Sequence, residues 1–333
     1  MSLSCDTTRY KQMSIFDFLR NKKPDAFDEK AILYHYTSID TFDKFLGDCG
    51  DLYCTHFQVL NDSAEMTMGM MLAEKYLRKE LKWPEIKGAW FRENYNMLVK
   101  GCEIVTPWVM SFSSERDSLN QWSMYTNRTN GGVAVGFDVG QLWSAIDRWP
   151  GCYSKAALTS NGEKGEKPLF DLRLLPCLYS ETDEKLIWEL FDLRLKPYIA
   201  VFERIGVSTT VQDIEVKDFT LAINAILEVS SIIKHEAFRN EKEVRLVLLP
   251  MTKSLADCEL VGGKPRWKTY VCMTRREGYG NPRRQALRGM IKEVVVSPHG
   301  DKSAIWTTVR CLLDKYEMNW CTLEKSVLPY NGR

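Results

Sequence analysis

The stretch Phe238-Arg239-Asn240-Glu241-Lys242-Glu243-Val244-Arg245-Leu246-Val247-Leu248-Leu249 constrains the fold of this chain more than any other. From residue 241 apolar and polar side chains alternate with period two. A helix exit followed by a strand with one face on a core is expected. That register sets Val244, Leu246 and Leu248 on one face and Glu241, Glu243 and Arg245 on the other. Two carboxylates and a guanidinium are expensive to bury separately. The row must be exposed, neutralise itself as an ion pair, or belong to a site.

Other strand-like segments lie near residues 31–36, 52–60, 105–113, 133–137, 174–179, 267–274, 291–297 and 321–328. Helical patterns near 38–47, 62–81, 183–206, 214–236 and 302–316 are interleaved with them irregularly. Without a regular strand–helix–strand rhythm, the expected class is α+β: a mixed or split sheet with inserted helices, not a doubly wound one. Residues 1–30 are polar, with Phe16, Phe18 and Leu19 as their apolar cluster, and read as an N-terminal arm or short helix. Residues 31–330 read as a single α+β domain, with a mobile surface loop near 150–170 where Gly, Ser, Lys and Glu concentrate.

The net charge of +1 supplies no global field toward nucleic acid or an anionic membrane, although Arg275, Arg276, Arg283, Arg284 and Arg288 offer a local basic patch. No apolar run reaches the length of a membrane span, and the N-terminus lacks the apolar core of a signal peptide, so a cytoplasmic protein without membrane contact is expected. The ten cysteines contain no Cys-x-x-Cys pair and the four histidines are scattered, which excludes zinc-site spacing. Cys102, Cys272, Cys311 and Cys321 sit in apolar runs, where a reduced thiol packs as a small hydrophobe.

Four polar sets stand out against apolar surroundings. Tyr34-His35-Tyr36-Thr37 ends a strand, and alternation turns His35 away from Tyr34 and Tyr36. A histidine there serves a site or bonds a backbone carbonyl. Asn61-Asp62-Ser63-Ala64-Glu65 has the form of a capping box, with Asp62 as N-cap; the helix start also suits an anion. Ser111-Phe112-Ser113 places two hydroxyls on one strand face, and Trp122 and Tyr125, three apart, share a helix face that could wall a planar ring. The fourth set is the Glu241, Glu243 and Arg245 row. A carboxylate beside a guanidinium stays ionised, so it accepts hydrogen bonds from sugar hydroxyls and stabilises an oxocarbenium-like transition state.

In this order the sets resemble a bacterial and phage family catalogued as domain of unknown function twenty-nine seventy-one. The resemblance runs from about residue 31 to 330 and also takes in Gly132, Phe137, Lys234, Phe238 and the terminal Lys325-Ser326-Val327-Leu328-Pro329-Tyr330. The layout is similar to that of ADP-ribosyltransferases as well. That resemblance implies that NAD is the substrate, with His35 on a ribose and with Tyr36, Thr37, Ser111, Ser113, Trp122, Tyr125 and Arg245 lining its site. It implies Glu243, or Glu241, on the 2′-hydroxyl of the nicotinamide ribose; Glu243, on the same face as Arg245, is assigned to the ribose and Glu241, one step closer to the loop, to an unknown protein or nucleic-acid acceptor. The chain departs from the toxin pattern in reading Ser-Phe-Ser for Ser-Thr-Ser and in placing Arg245 so close to the glutamates.

Three functional expectations follow. The first is an ADP-ribosyltransferase-like enzyme with His35, Ser111 or Ser113, and Glu243 around one cleft. The second is a metal-dependent phosphodiesterase or nuclease using Asp62, Glu65, Glu241 and Glu243 as oxygen ligands. The third is a non-catalytic ligand- or partner-binding module in which the polar row is an ion-pair network.

Overall fold

A computed structural model describes residues 14–24, 28–47, 52–57, 60, 64–85, 88, 91, 107–126, 129–148, 170–207, 216–250, 258–261, 264–269 and 288–329. The expected cap at Asp62, the loop of residues 150–169, Arg275, Arg276, Arg283, Arg284 and Tyr330 lie outside these residues.

The architecture is α+β around one mixed sheet. Its strands are β1 (Ile32–Thr37), β2 (Leu52–His56), β3 (Trp108–Ser113), β4 (Val133–Asp138), β5 (Phe170–Pro176), β8 (Glu243–Pro250), β9 (Cys258–Val261), β10 (Lys264–Thr269), β11 (Ile291–Val296) and β12 (Thr322–Lys325). They run β12-β11-β4-β1-β3-β2-β10-β9, with β8 also on β3 and β5 beyond β8. β11 and β12 pair in parallel and the other neighbours are antiparallel. β8 pairs with all of β3, from Trp108↔Leu248 to Ser113↔Glu243. The other edge of β3 is shared: β1 takes its end at Tyr34↔Ser113, and β2 takes its start at His56↔Trp108. The sheet therefore forks along β3. A separate short parallel pair joins β6 (Leu178–Tyr179) to β7 (Ile233–Lys234).

Alternation decides what covers each face. Leu33, Phe112, Val133, Val135, Phe137, Val244, Leu246 and Leu248 belong to one core cluster, which also holds Phe42 and Leu46 of α2 (Ile39–Gly47). On the opposite face Val109, Leu175 and Val247 pack with α1 (Ile15–Lys22), α3 (Ala64–Leu81) and further helices, while Tyr34, Tyr36 and Trp122 form a third, smaller cluster. Burying a full-sized apolar side chain contributes about 1.5–3 kcal/mol, so these layers outweigh local propensity. The N-terminal stretch joins them: Ser14 caps α1 by accepting the Asp17 N–H at 3.1 Å, and Ile15, Phe18 and Leu19 are buried.

The long helix expected over 183–206 is interrupted. α6 (Glu184–Leu195) gives way to a 3₁₀ turn at Lys196-Pro197-Tyr198 before α7 (Ile199–Val207), because proline has no N–H to continue the ladder. α8 (Val216–Ser230) ends six residues short of the expected boundary at 236, where the chain turns into β7. Of the cysteines, Cys321 is buried, which pushes its thiol up to about 12, but Cys311 is exposed on α9 (Lys302–Lys315) and does not pack as expected. No helix among the described residues is long and apolar enough to cross a membrane.

The entry to β4 is tight. Gly131 takes φ +70, and a Cβ on Gly132 would lie 2.5 Å from the Thr37 carbonyl oxygen and 2.6 Å from Thr126 Cγ2. Gly132→Ala is expected to lower the unfolding free energy by about 1–3 kcal/mol, the usual cost of overpacking. Equal urea midpoints for the two proteins would show that β4 can shift to make room.

Candidate functional site

The polar row lies on the face opposite the main core cluster, between Val247 on one side and the Tyr34, Tyr36 and Trp122 cluster on the other. Glu243 and Arg245 stand on β8 as expected, but Glu241 does not. Residues Glu236–Glu241 form a 3₁₀ turn and Lys242 takes the left-handed region at φ 42, so the strand begins only at Glu243. The turn brings Glu241 back beside Glu243.

What joins the two carboxylates is Lys234. The β6–β7 pair sets it next to Tyr179. Its ammonium donates to Glu241 Oε2 at 2.7 Å and to Glu243 Oε2, and lies 4.9 Å from the centre of the Phe238 ring. Arg245 Nε donates to Glu243 Oε1 at 2.8 Å, and its Nη1 donates to the Ser231 carbonyl at 2.7 Å. The Glu243 N–H donates to the Tyr179 hydroxyl at 3.0 Å. Arg245 is 1% exposed, Lys234 3%, and Glu241 and Glu243 4% each. Among the described residues, two cations and two anions thus meet in one buried cluster. Of the three options open to the row, self-neutralisation is the one found, with a lysine as the unforeseen fourth member.

The two carboxylates differ in environment. Burial alone would raise Glu243, but the Arg245 and Lys234 charges outweigh it and hold the carboxyl at about 2. At Glu241 burial prevails: its carboxyl is raised above the ordinary value, against the pull of Lys234. Glu241 Oε1 is also buried with no hydrogen-bond partner among the described residues. A buried acceptor left unpaired costs about 1–3 kcal/mol, which sets this oxygen apart from the two paired oxygens of Glu243.

Ser113 and Gln121 hold the Glu241 backbone rather than its carboxylate. Ser113 Oγ donates to the Glu241 carbonyl at 2.7 Å and accepts the Glu115 N–H at 3.0 Å, and Gln121 Nε2 donates to the same carbonyl at 3.4 Å. Ser111, opposite Arg245, is half-buried on this face. The Tyr36 hydroxyl donates to the Glu115 carbonyl at 2.7 Å and accepts the Ser118 N–H at 3.1 Å. Trp122, on α4 (Leu119–Tyr125), meets Tyr36 edge-on at 4.7 Å and donates through Nε1 to Asp117 at 2.6 Å; Tyr125 packs on the same cluster. Asp117 also accepts from Ser326 Oγ at 2.7 Å and from the Val327 N–H at 2.8 Å, which ties down the C-terminal segment. At the far end Arg116 and Tyr34 both donate to Glu293.

His35 is not part of this face. The pairing Tyr34↔Ser113↔Glu243 puts Tyr34 with the glutamates, and alternation turns His35 and Thr37 to the other side. The expected single cleft of His35, Ser111 or Ser113, and Glu243 therefore does not form. His35 Nδ1 lies 2.9 Å from the Ser111 carbonyl oxygen, which can only accept, so Nδ1 carries the proton; burial lowers the imidazole and keeps it neutral. Its ring meets Phe112 edge-on at 6.0 Å. The imidazole thus bonds β3 beside the fork where β1 and β2 part.

Lys234, Tyr179, Asp117, Arg116 and Glu293 complete this face and were not singled out as site residues from the sequence. Lys234 had a signal, as the one charge closing the run Ser230-Ser231-Ile232-Ile233. Among the described residues no three His, Cys, Asp or Glu side chains come together as a metal-ligand set. Glu241 and Glu243 already face two cationic side chains, which fits a divalent ion poorly.

A family model described as protein of unknown function (DUF2971) matches residues 121–246, from the start of the Gln121–Trp122 segment through Lys234, Glu241, Glu243 and Arg245. No curated protein and no solved structure matches the chain.

Proposed function

We propose that this chain is an ADP-ribosyltransferase-like enzyme that takes NAD as substrate, with Glu241 as the carboxylate that meets the ligand. The observation that carries the reading is the pair of adjacent glutamates pushed in opposite directions, one held ionised and one raised with a free oxygen. Neighbouring carboxyls driven apart in this way are the usual mark of an acid/base assignment. Glu243, with both oxygens taken by Lys234 and Arg245, is a fixed anion rather than a ribose ligand. The unpartnered Glu241 Oε1 fits a hydroxyl or amine donor from substrate or acceptor. In the transfer, the bond from ribose C1′ to the nicotinamide nitrogen breaks and its electron pair leaves with nicotinamide. The acceptor's lone pair then forms the new bond to C1′, and its proton passes to Glu241. On this reading the fixed Glu243 charge would help offset the positive charge that develops on the ribose.

Glu241 is enclosed, so substrate reaches it by displacing the 236–241 turn. That turn ends at the left-handed Lys242, held by an ion pair to Glu115 and by the Ser114 N–H donating to its carbonyl at 3.1 Å. Left-handed backbone at a lysine costs about 1–3 kcal/mol, which favours a junction that moves. Titration with NAD, followed by tryptophan fluorescence and by release of nicotinamide, tests the reading. Saturable quenching that is reduced in Trp122→Phe, together with nicotinamide release, is the expected result.

A second reading is favoured by the closure of the cluster itself. Four buried charges of balanced sign form an ion-pair network, which suits a non-catalytic binding module. An absent response to NAD would leave that reading standing.

A further inference from the structure

The structure assigns Lys234 the role of a positioning residue: its ammonium, clamped between Glu243 and Glu241, fixes one oxygen of Glu241, leaves the other for a ligand's donor, and decides the charge state in which Glu241 meets that ligand. The inference rests on the reading of Glu241 as the working carboxylate.

The geometry is specific to this lysine. Among the described residues, the charged groups that act on Glu241 are Lys234 from β7 and Glu243 and Arg245 from β8, with the Tyr179 hydroxyl of β6 on the Glu243 N–H. Lys234 hydrogen-bonds both carboxylates, whereas the hydrogen bonds of the Arg245 guanidinium described for this cluster go to the two Glu243 oxygens and the Ser231 carbonyl. Phe238 covers a further side of the ammonium, which is 3% exposed, so water cannot take its place. Without Lys234 the cluster would hold two carboxylates against one guanidinium, a net negative charge in a dry site. A buried group in that position takes up a proton rather than stay charged. Arg245 keeps Glu243 ionised, so the proton goes to Glu241. Glu241 is then a donor and can no longer accept the proton of an incoming nucleophile.

Lys234→Met, which keeps length and removes charge, tests this. The Glu241 carboxyl is followed by ¹³C NMR across pH, its resonance assigned with Glu241→Gln, and the pH profile of NAD consumption is measured beside it. The expected result is a Glu241 midpoint raised by about one to three pH units, the effect of losing one adjacent opposite charge. The acid limb of the kcat profile should move by the same amount while KM for NAD changes less than kcat. A midpoint that stays in place overturns the role. If neither protein consumes NAD, the carboxyl titration still decides the part played by Lys234, and only the enzymatic reading falls. If Lys234→Met does not fold, recovery of the fold in Lys234→Met/Glu241→Gln supports the assignment, since removing the extra anion restores balance. Failure of that double variant as well overturns it, because Lys234 would then be needed for packing rather than for Glu241.

Discussion

Replacing Arg245 with methionine is expected to lower the unfolding free energy by about 3–5 kcal/mol, the cost of leaving a buried carboxylate short of its partner. Arg245 is 1% exposed and bonds Glu243 and the Ser231 carbonyl, so the truncation strands both acceptors in the interior. The change should also alter the acid sensitivity of the fold. Glu243 sits at about 2 when folded, below its ordinary 4.5. A depressed carboxyl contributes stability that is complete above its unfolded pKa and is lost as pH falls toward the folded one. In the parent protein this loss falls between roughly pH 4.5 and 2. Glu241 acts with the opposite sign: its raised carboxyl favours the folded state below its unfolded pKa, and that contribution is lost as pH rises through the folded value. In Arg245→Met the Glu243 contribution shrinks, so the decline below pH 4.5 should be shallower from a lower plateau. Urea unfolding at several pH values measures both. A loss under about 1 kcal/mol with an unchanged acid limb, the level of an exposed pair, would mean that the cluster is open to water.

The fold class was legible because period two and helical spacing are local signals. Val244, Leu246 and Leu248 had to face a core, and they do. The Pro197 break was also present in the chain, since a proline inside a helical pattern ends or kinks it. The antiparallel pairing of β9 and β10 also had a mark in the chain, the Gly262-Gly263 dipeptide between two short runs. The site was less legible, for a physical reason. That His35 opposes Tyr34 follows from alternation, but which of the two faces Glu243 depends on the pairing Tyr34↔Ser113, across 79 positions of chain. A one-residue change of register would reverse the answer. Lys234 reaches the glutamates through the β6–β7 pair, a contact between segments 55 residues apart. A charge row can therefore be seen in a sequence, while the counter-charge that completes it depends on tertiary pairing.

Glu241→Gln and Glu243→Gln should separate chemistry from architecture. Glutamine at 241 keeps the shape, retains an oxygen able to accept from Lys234, and removes the group that takes up a proton. On the proposed reading, NAD-dependent transfer is then expected to fall by about two to three orders of magnitude, the scale for losing general-base or well-placed electrostatic help. Stability should fall as well, since two cations then face Glu243 alone, but less than in Glu243→Gln, because Glu241 pairs only with Lys234 whereas Glu243 pairs with both cations. Glutamine at 243 acts differently. It puts a neutral amide between Lys234 and Arg245, and since both neighbours are donors its NH₂ must face one of them whichever way the amide is turned. The remaining cluster holds two cations against Glu241 alone, so Glu243→Gln is expected to lose several kcal/mol of stability, with activity falling as the folded fraction falls. Measuring the unfolding free energy and the rate of nicotinamide release in both variants checks the division. Full transfer activity in a folded Glu241→Gln protein would remove Glu241 from the chemistry. A stable, inactive Glu243→Gln protein would return the working role to Glu243, the residue that the family-like layout had put on the ribose.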